Sequence, residues 1–546
     1  MTAAERLPAT AVVVPRPRVT RREVVVVAVG TLAFALLLVV WALVTPMFQA
    51  PDEAAHVDAV LHLALGGHWD APGQLHYLSA TRAAVDSAAS TPPLQRPTVG
   101  ALLAAHPGES VLVDQMSQHP PTYYLAAAVV LRILHLHDLR WDVAVVVLRL
   151  VDALLVAPLP VLVWATVRRL TRAPRLAAVA PFALFAVPQL AQIGSSVTNE
   201  APVFLLGGLL TWFGVRILTG DRRWWTTLAL GLTFAVLASV KATGLPAVLF
   251  VAVVVLAARA LPWRARLARA GVALAIGVVL GSWWWVHCLV AFHTPLPNGL
   301  AGLTPVTPWP PGSTRNLGLF VDQQWDGLTR SFWGEFGGFQ FPMTPILTDL
   351  LSLVALLAIA WSFTRRFPQR GAVVALGALP AAVLLAVVAY DWRSYGGLHQ
   401  IGGTQGRFLF VALVAAIAMS AVAWSALVVR PVLRRRAARV LVVAAPAVGA
   451  YGLSVAYRGE YEQTNLGITR PGLAHLAYTT PLGSHALAVV GVLMAVAVVV
   501  AVVLAWRWCG LGSGRDTTGR EAPPTPVPSV TATGPVTATD RLPDVD

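Results

Sequence analysis

The sequence predicts an all-α, polytopic membrane protein, and three observations carry that prediction. Of its 546 residues 56% are hydrophobic and only 12% charged, with a mean hydropathy of +0.67, whereas a soluble domain is nearer a quarter charged. Apolar runs recur that reach about 18–25 residues, long enough to cross a bilayer. Arginine clusters punctuate those runs at intervals. The net charge of +14 and pI near 10.8 would suit a nucleic-acid partner in a soluble chain. Here they imply none, because basic residues of membrane proteins collect in cytoplasmic loops.

In chain order, residues 1–23 are polar and Pro/Arg-rich and read as a cytoplasmic tail. No small-residue cleavage site follows the apolar run 24–45, so it reads as an uncleaved first span. The clusters Arg168/Arg169/Arg172/Arg175, Arg222/Arg223, Arg264/Arg266/Arg269, Arg365/Arg366/Arg370 and Arg434/Arg435/Arg436/Arg439 then act as a ruler. Placing each cluster inside predicts about 12 transmembrane helices, each needing around 20 residues. They cover 24–45, 143–167, 176–193, 201–218, 225–240, 245–261, 270–290, 345–363, 371–390, 407–428, 438–456 and 485–507. Both termini are then cytoplasmic, and the transmembrane domain runs over 24–508. The run 121–135 would put the next arginines outside if it crossed, so it is expected to lie at the interface. Residues 509–546, rich in Pro, Thr and Ser, read as a disordered cytoplasmic tail. Nearly all basic residues are Arg, with Lys241 the single lysine, which points to a GC-rich bacterial genome and hence a bacterial plasma membrane.

This topology places two long loops outside, 46–142 and 291–344. Loops of that length are usually functional. The first opens on Phe48-Gln49-Ala50-Pro51-Asp52-Glu53-Ala54-Ala55-His56. Pro51 suits a first helical turn, and the helix dipole favours Asp52 and Glu53 beside it. His56 lies four residues after Asp52 and three after Glu53, so all can share a helix face. That spacing suits an acid/base pair or a divalent metal, with His56 and Asp52 or Glu53 as ligands; it equally suits a capped interfacial helix with solvated charges. The second loop carries Ser331-Phe332-Trp333-Gly334-Glu335-Phe336-Gly337-Gly338. Its aromatics serve as a membrane belt, or they set Glu335 among stacking surfaces that a sugar could use.

Together these segments resemble the GT-C superfamily of integral-membrane glycosyltransferases, in particular a bacterial branch of predicted polytopic membrane proteins. The resemblance rests on Pro51-Asp52-Glu53 with His56 just after helix one, and on His119-Pro120-Pro121-Thr122-Tyr123-Tyr124 closing the first outer loop. Asn199-Glu200, Phe332 to Gly338, and Gln405-Gly406-Arg407-Phe408 extend it over roughly residues 24–430. It implies sugar transfer from a polyprenyl-phosphate donor to a glycan or lipid acceptor of the cell envelope, at the extracytoplasmic face. It also implies that an acidic residue of the first outer loop acts as base or binds metal, and Asp52 matches that position.

On this reading Asp52 is the base, with Glu53 as the second catalytic residue. His56 is the metal ligand if a metal is present; oxygen ligands suit Mg or Mn, and a histidine admits Zn. The donor phosphate needs cations at the outer membrane edge. Lys241, Arg393, His399 and Arg407 are the candidates, the last opening a helix whose N-terminus also favours an anion. His119, Tyr123, Arg149, Glu200 and Glu335 are expected to line the substrate cavity. Each has a plain structural alternative: a rigid turn for His119, an interfacial ring for Tyr123, a neutralising pair with Asp152 for Arg149, a helix start for Glu200. Two other functions fit twelve spans, a secondary transporter or lipid flippase and a non-catalytic envelope scaffold. Transporters usually show internal repeats and midplane charge, and here the acidic groups concentrate in a long outer loop.

Overall fold

The computed structural model describes residues 17–300, 303, 306–401, 403–462 and 467–510. The first helix, α1 (Arg21–Val44), starts where Thr20 accepts a hydrogen bond from the Glu23 N–H. Its 24 residues rise about 36 Å at 1.5 Å each, enough to cross a bilayer core. Near its start Glu23 is buried and accepts from Arg168 Nε at 2.6 Å and Trp164 Nε1 at 2.9 Å. Near its end the carbonyls of Ala42 and Thr45 accept from Arg149 at 2.7 and 2.6 Å. Arg149 and Arg168 both lie in Trp141–Thr171, so that apolar stretch runs antiparallel to α1 and is pinned to it at both ends.

Between these two spans the first long loop folds into a helical cap. It contains α2 (Glu53–Ala64) and α3 (Thr122–Ile133), which pack together. An antiparallel strand pair, His76–Leu78 with Glu109–Val113, lies beside them. Arg132 of α3 donates to the carbonyls of Leu63 and Ala64, satisfying the C-terminal end of α2. Arg96 pairs with Asp142 at 3.0 Å and closes the cap onto α4 (Trp141–Val156), the first part of the Trp141–Thr171 stretch. The run 121–135, expected at the interface, is thus a helix of 12 residues.

Eight helices among the described residues are long and apolar enough to span a membrane, and Trp263–Gly281 with Trp283–Phe292, bent by 51°, makes a ninth if the pair is one span. The chain is therefore a multi-pass membrane protein. The remaining three of the twelve expected spans are helical but short: Pro174–Ala186, Trp224–Ala238 and Ala242–Leu256. Pro181 and Pro188 interrupt the first of these regions, and in the last one Pro246 separates the turn Ala242–Gly244 from the helix Ala247–Leu256. The 15 residues of Trp224–Ala238 rise only about 22 Å, less than a bilayer core of about 30 Å.

Two close crossings bring segments far apart in sequence to one end of the bundle. In α5 (Glu200–Leu218), a Cβ added at Gly207 would lie 1.9 Å from the Val411 carbonyl oxygen. Only glycine allows that helix to approach the segment Gly406–Ala412 so closely. Gly406 is held in turn by α6 (Leu317–Trp333), whose Ser331 hydroxyl accepts from the Gly406 N–H at 2.7 Å. After α6 the second long loop makes a small hairpin, Glu335–Phe336 against Phe341–Pro342. Within its turn, Phe339 at φ 65° and Gly337 at φ 64° reverse the chain sharply. Further on, α7 (Ala378–Leu398) ends at His399, which has a left-handed backbone. Of the expected tails, residues 1–16 and 511–546 lie outside the described residues; Arg21–Glu23 and Cys509 are already helical.

Candidate active site

The residue after Pro51 does not enter the helix. Asp52 caps α2 with φ 59° and ψ 8°, a left-handed conformation that is costly for a residue with a Cβ, and its side chain makes no capping bond. Helix α2 begins at Glu53, two residues later than Pro51 predicts. The turn frees the Asp52 carboxylate to point away from the helix. Oδ2 accepts from Arg407 Nη2 at 2.7 Å, and Oδ1 accepts from Gln115 Nε2 at 3.3 Å.

Arg407 sits on a buried network. Its Nε donates to Gln405 Oε1 at 2.6 Å and lies 3.5 Å from Glu200 Oε1. The same Glu200 oxygen accepts from Lys241 Nζ at 2.7 Å. Phe408 lies beneath both cations, 5.6 Å from Arg407 and 5.7 Å from Lys241, and Phe339 is 5.3 Å from Arg407. The side chains of Arg407, Lys241 and Glu200 are 4, 9 and 2% exposed, whereas that of Asp52 is 35% exposed. Asp52 is therefore the accessible carboxylate over two buried cations held by a second, inaccessible one.

The electrostatics follow from that arrangement. Burial alone would raise the Asp52 pKa, but the Arg407 guanidinium outweighs it and holds the carboxyl down to about 2. His56 is fully buried in α2; burial and the nearby Lys241 ammonium hold it well below the ordinary histidine range. His119 is pushed down to about 3 by burial, then by Lys241 and, more weakly, Arg407. Both imidazoles are neutral at neutral pH. His56 Nδ1 lies 3.0 Å from the Tyr124 hydroxyl and Nε2 3.5 Å from the Thr198 hydroxyl. The His56 and Tyr124 rings stack at 5.8 Å, and Trp69 packs against Tyr124 at 4.9 Å.

A family model described as "Predicted membrane protein (DUF2142)" matches residues 34–417. The chain belongs to this family. No curated protein matches it in sequence. Among solved structures, this DUF2142 chain is similar to ArnT from Cupriavidus metallidurans in the apo state, with a TM-score of 0.46 and 15% identity over 88% of this chain and 74% of that one. The same enzyme bound to undecaprenyl phosphate gives 0.45 and 16%, again over 88 and 74%. The Archaeoglobus fulgidus oligosaccharyltransferase in the apo form gives 0.41 and 13%, over 91% of this chain and 57% of that one. At such similarity the site stands on its own geometry.

That geometry sorts the residues singled out in the sequence. Asp52, Glu200, Lys241 and Arg407 converge from four segments of the DUF2142 chain, and His56 and His119 sense their charges. Glu53 departs from its expected catalytic role. It is fully buried, and Arg149 grips it through Nε at 2.7 Å and Nη2 at 2.6 Å, while the N–H groups of Phe48 and Val197 donate at 3.0 and 3.1 Å. No lone pair is left for a substrate. Arg149 accordingly lines no cavity and does not pair with Asp152, whose Oδ2 accepts from Tyr123 at 2.7 Å and the Thr198 N–H at 2.9 Å. Tyr123 is likewise inside the scaffold, 6% exposed.

Glu335 is bound by Arg330 at 2.8 Å, and its N–H donates to Gln189. Arg393 is exposed on α7, and the His399 ring packs against Trp309 at 4.3 Å, tilted by 37°. Among the described residues, neither makes a hydrogen bond or ion pair with the Asp52 cluster. The expected metal ligands do not fit a metal: both His56 nitrogens face hydroxyls and Glu53 is saturated. Among the described residues no group of three or more His, Cys, Asp or Glu is placed to hold an ion. Gln115 went unnoticed in the sequence, where no charge or glycine marks it, and Gln405 entered only as part of a motif.

Proposed function

We propose that this protein is a GT-C-type membrane glycosyltransferase, moving a sugar from a polyprenyl-phosphate donor to a glycan or lipid acceptor of the cell envelope. The reaction takes place at the extracytoplasmic face of the bacterial plasma membrane, with both termini in the cytoplasm. The observation that carries this proposal is the accessible Asp52 carboxylate 2.7 Å from buried Arg407, with Lys241 on the same Glu200 oxygen.

A carboxylate held near pKa 2 is a weak base, and the pairing supplies the remedy. The donor phosphate is the stronger partner for a guanidinium, which can bind two of its oxygens at once. As Arg407 turns to the phosphate, Asp52 loses the contact that depresses its pKa, and partial burial then raises its basicity. The acceptor hydroxyl oxygen attacks the anomeric carbon while Asp52 takes its proton. The bond from that carbon to the phosphate oxygen breaks, and the electron pair leaves on the phosphate, where Arg407 and Lys241 stabilise the charge. Glu200 keeps the two cations adjacent, and neutral His56 and His119 add no competing charge. The base is thus strengthened only when the donor is bound.

The test uses the purified chain in nanodiscs with radiolabelled polyprenyl-phosphate sugars. Asp52→Asn is expected to insert normally, bind donor and lose transfer by about a hundredfold or more, the usual scale for a general base. Arg407→Ala is expected to lose donor binding as well. Unchanged transfer by Asp52→Asn would remove that carboxylate from the reaction.

A further inference from the structure

Beside this cluster lies a second polar group that the reaction does not use. Asp391, in the last turns of α7, is 0% exposed, and Gln324 of α6 is 6% exposed. Gln324 Nε2 donates to Asp391 Oδ2 at 2.9 Å and to Thr404 Oγ1 at 2.6 Å. The Thr404 hydroxyl donates to the same Asp391 oxygen at 3.0 Å. Every donor of the trio is therefore directed at one oxygen or at another member of the trio. Asp391 Oδ1 and Gln324 Oε1 are left buried and without a hydrogen-bond partner.

Two buried acceptors without donors are costly, the carboxylate most of all, and packing alone does not call for them. Asp391 forms no ion pair among the described residues. Gly403, at φ +84°, passes over the free oxygen; a Cβ there would stand 3.6 Å from Oδ1 and narrow access to it. The surroundings are aromatic. Tyr395, one turn beyond Asp391, meets the Trp309 ring at 5.5 Å, and His399 lies over Trp309 at 4.3 Å with its own Nε2 unpartnered. Few polar acceptors among rings is the make-up of a small-molecule site.

We infer that Asp391 and Gln324 form a subsite that accepts hydrogen bonds from neighbouring hydroxyls of a sugar ring, with the Tyr395 and Trp309 rings one turn further along α7. Two adjacent acceptors, one charged and one neutral, match a pair of hydroxyl donors better than a single cation, which would leave the amide oxygen unused. The position suits the chemistry proposed above, on which this inference rests. Thr404 is three residues before Arg407, so the two Cα atoms are at most about 11 Å apart. A ring held by Asp391 therefore sits against the segment that carries Arg407, whose guanidinium bonds Asp52. The ring belongs either to the lipid-linked donor or to the acceptor glycan, which share this chemistry.

The test is a titration of the full chain in nanodiscs, read by tryptophan fluorescence, with methyl mannoside, methyl arabinoside and other methyl glycosides, and separately with polyprenyl phosphate. At least one glycoside is expected to bind the wild type. Asp391→Asn and Gln324→Leu should each weaken that binding about tenfold or more, the scale of one lost hydrogen bond to a buried acceptor. Both variants should bind polyprenyl phosphate normally, which also reports that they are folded. Glycoside curves unchanged in both variants, or a wild type that binds polyprenyl phosphate but no glycoside, would overturn the subsite. A wild type that binds a glycoside but no polyprenyl phosphate speaks against the reaction proposed above, while weaker glycoside binding in both variants still supports the subsite. Saturation with a polyprenyl-phosphate sugar assigns the ring: competition marks it as the donor's, simultaneous binding as the acceptor's.

Discussion

Glu53 and Asp52 are neighbours in sequence with opposite fates, and burial decides between them. Glu53 and Arg149 are both 0% exposed and joined by a two-pronged contact at 2.6 and 2.7 Å. Removing one partner of such a pair leaves an uncompensated buried charge, at a cost of about 3–5 kcal/mol. Arg149→Met is therefore expected to lower thermal stability markedly in detergent, while Arg149→Met with Glu53→Leu recovers part of the loss. Equal melting temperatures for wild type and Arg149→Met would refute the scaffold role. In sequence these residues look as functional as Asp52 or Arg407, because any charge in an apolar chain stands out. Composition thus pointed to Asp52, Glu200, Lys241 and Arg407, but it could not separate charges that face a cavity from charges that tie helices together. That distinction depends on partners distant in sequence, from 41 residues for Lys241 and Glu200 to 355 for Asp52 and Arg407.

At the scale of elements, the cap built from the first long loop carries a buried acid pair. Asp58 of α2 and Asp114, just after the strand Glu109–Val113, are both 0% exposed. Asp58 accepts from the Leu78 N–H at 3.0 Å and lies 3.4 Å from His62 Nε2; Asp114 accepts from the Met116 N–H at 2.8 Å. Burial, and then the neighbouring Asp58, push Asp114 well above the ordinary 3.8; burial likewise raises Asp58. A carboxyl with a raised folded pKa stabilises the fold below its unfolded value and loses that contribution as pH rises through the folded one. The cap is therefore expected to loosen progressively above pH 3.8, seen as faster amide exchange at Leu78 and Met116. Asp114→Asn should flatten that dependence, and an unaltered pH profile would count against the pair. Sequence patterning found two helices of this cap, the one after Pro51 and Thr122–Ile133, because their signals are local, and it did not name Ser79–Ser87 or Val99–Ala105. It missed the strand pair, since His76–Leu78 and Glu109–Val113 have neither clear alternation nor a short turn between them.

At the scale of the whole molecule, the ion pairs define two ends. Glu23 with Arg168 lies at the start of α1, and Glu53 with Arg149 lies past its end, about 36 Å along the helix axis. The Asp52 cluster belongs to the second end. Arg365 and Arg366 follow the last turn of Pro345–Thr364, whose first turns lie near the second end through Trp333 and Ser352, so those arginines belong to the first. The arginine ruler read from the sequence therefore agrees with a bundle that sorts its basic loops from its site. Basic loops stay in the cytoplasm because translocating them is unfavourable, so the end bearing Asp52 is expected outside. A chain with Cys288 and Cys509 replaced by Ala, and one cysteine introduced at Val111 or at Arg366, tests this in intact cells. Val111 is 92% exposed on the cap, and Arg366 is exposed between helices at the opposite end. A membrane-impermeant maleimide is expected to label Val111→Cys directly and Arg366→Cys only after permeabilisation. The reverse pattern would put Asp52 in the cytosol, where a donor presented at the outer face cannot reach it.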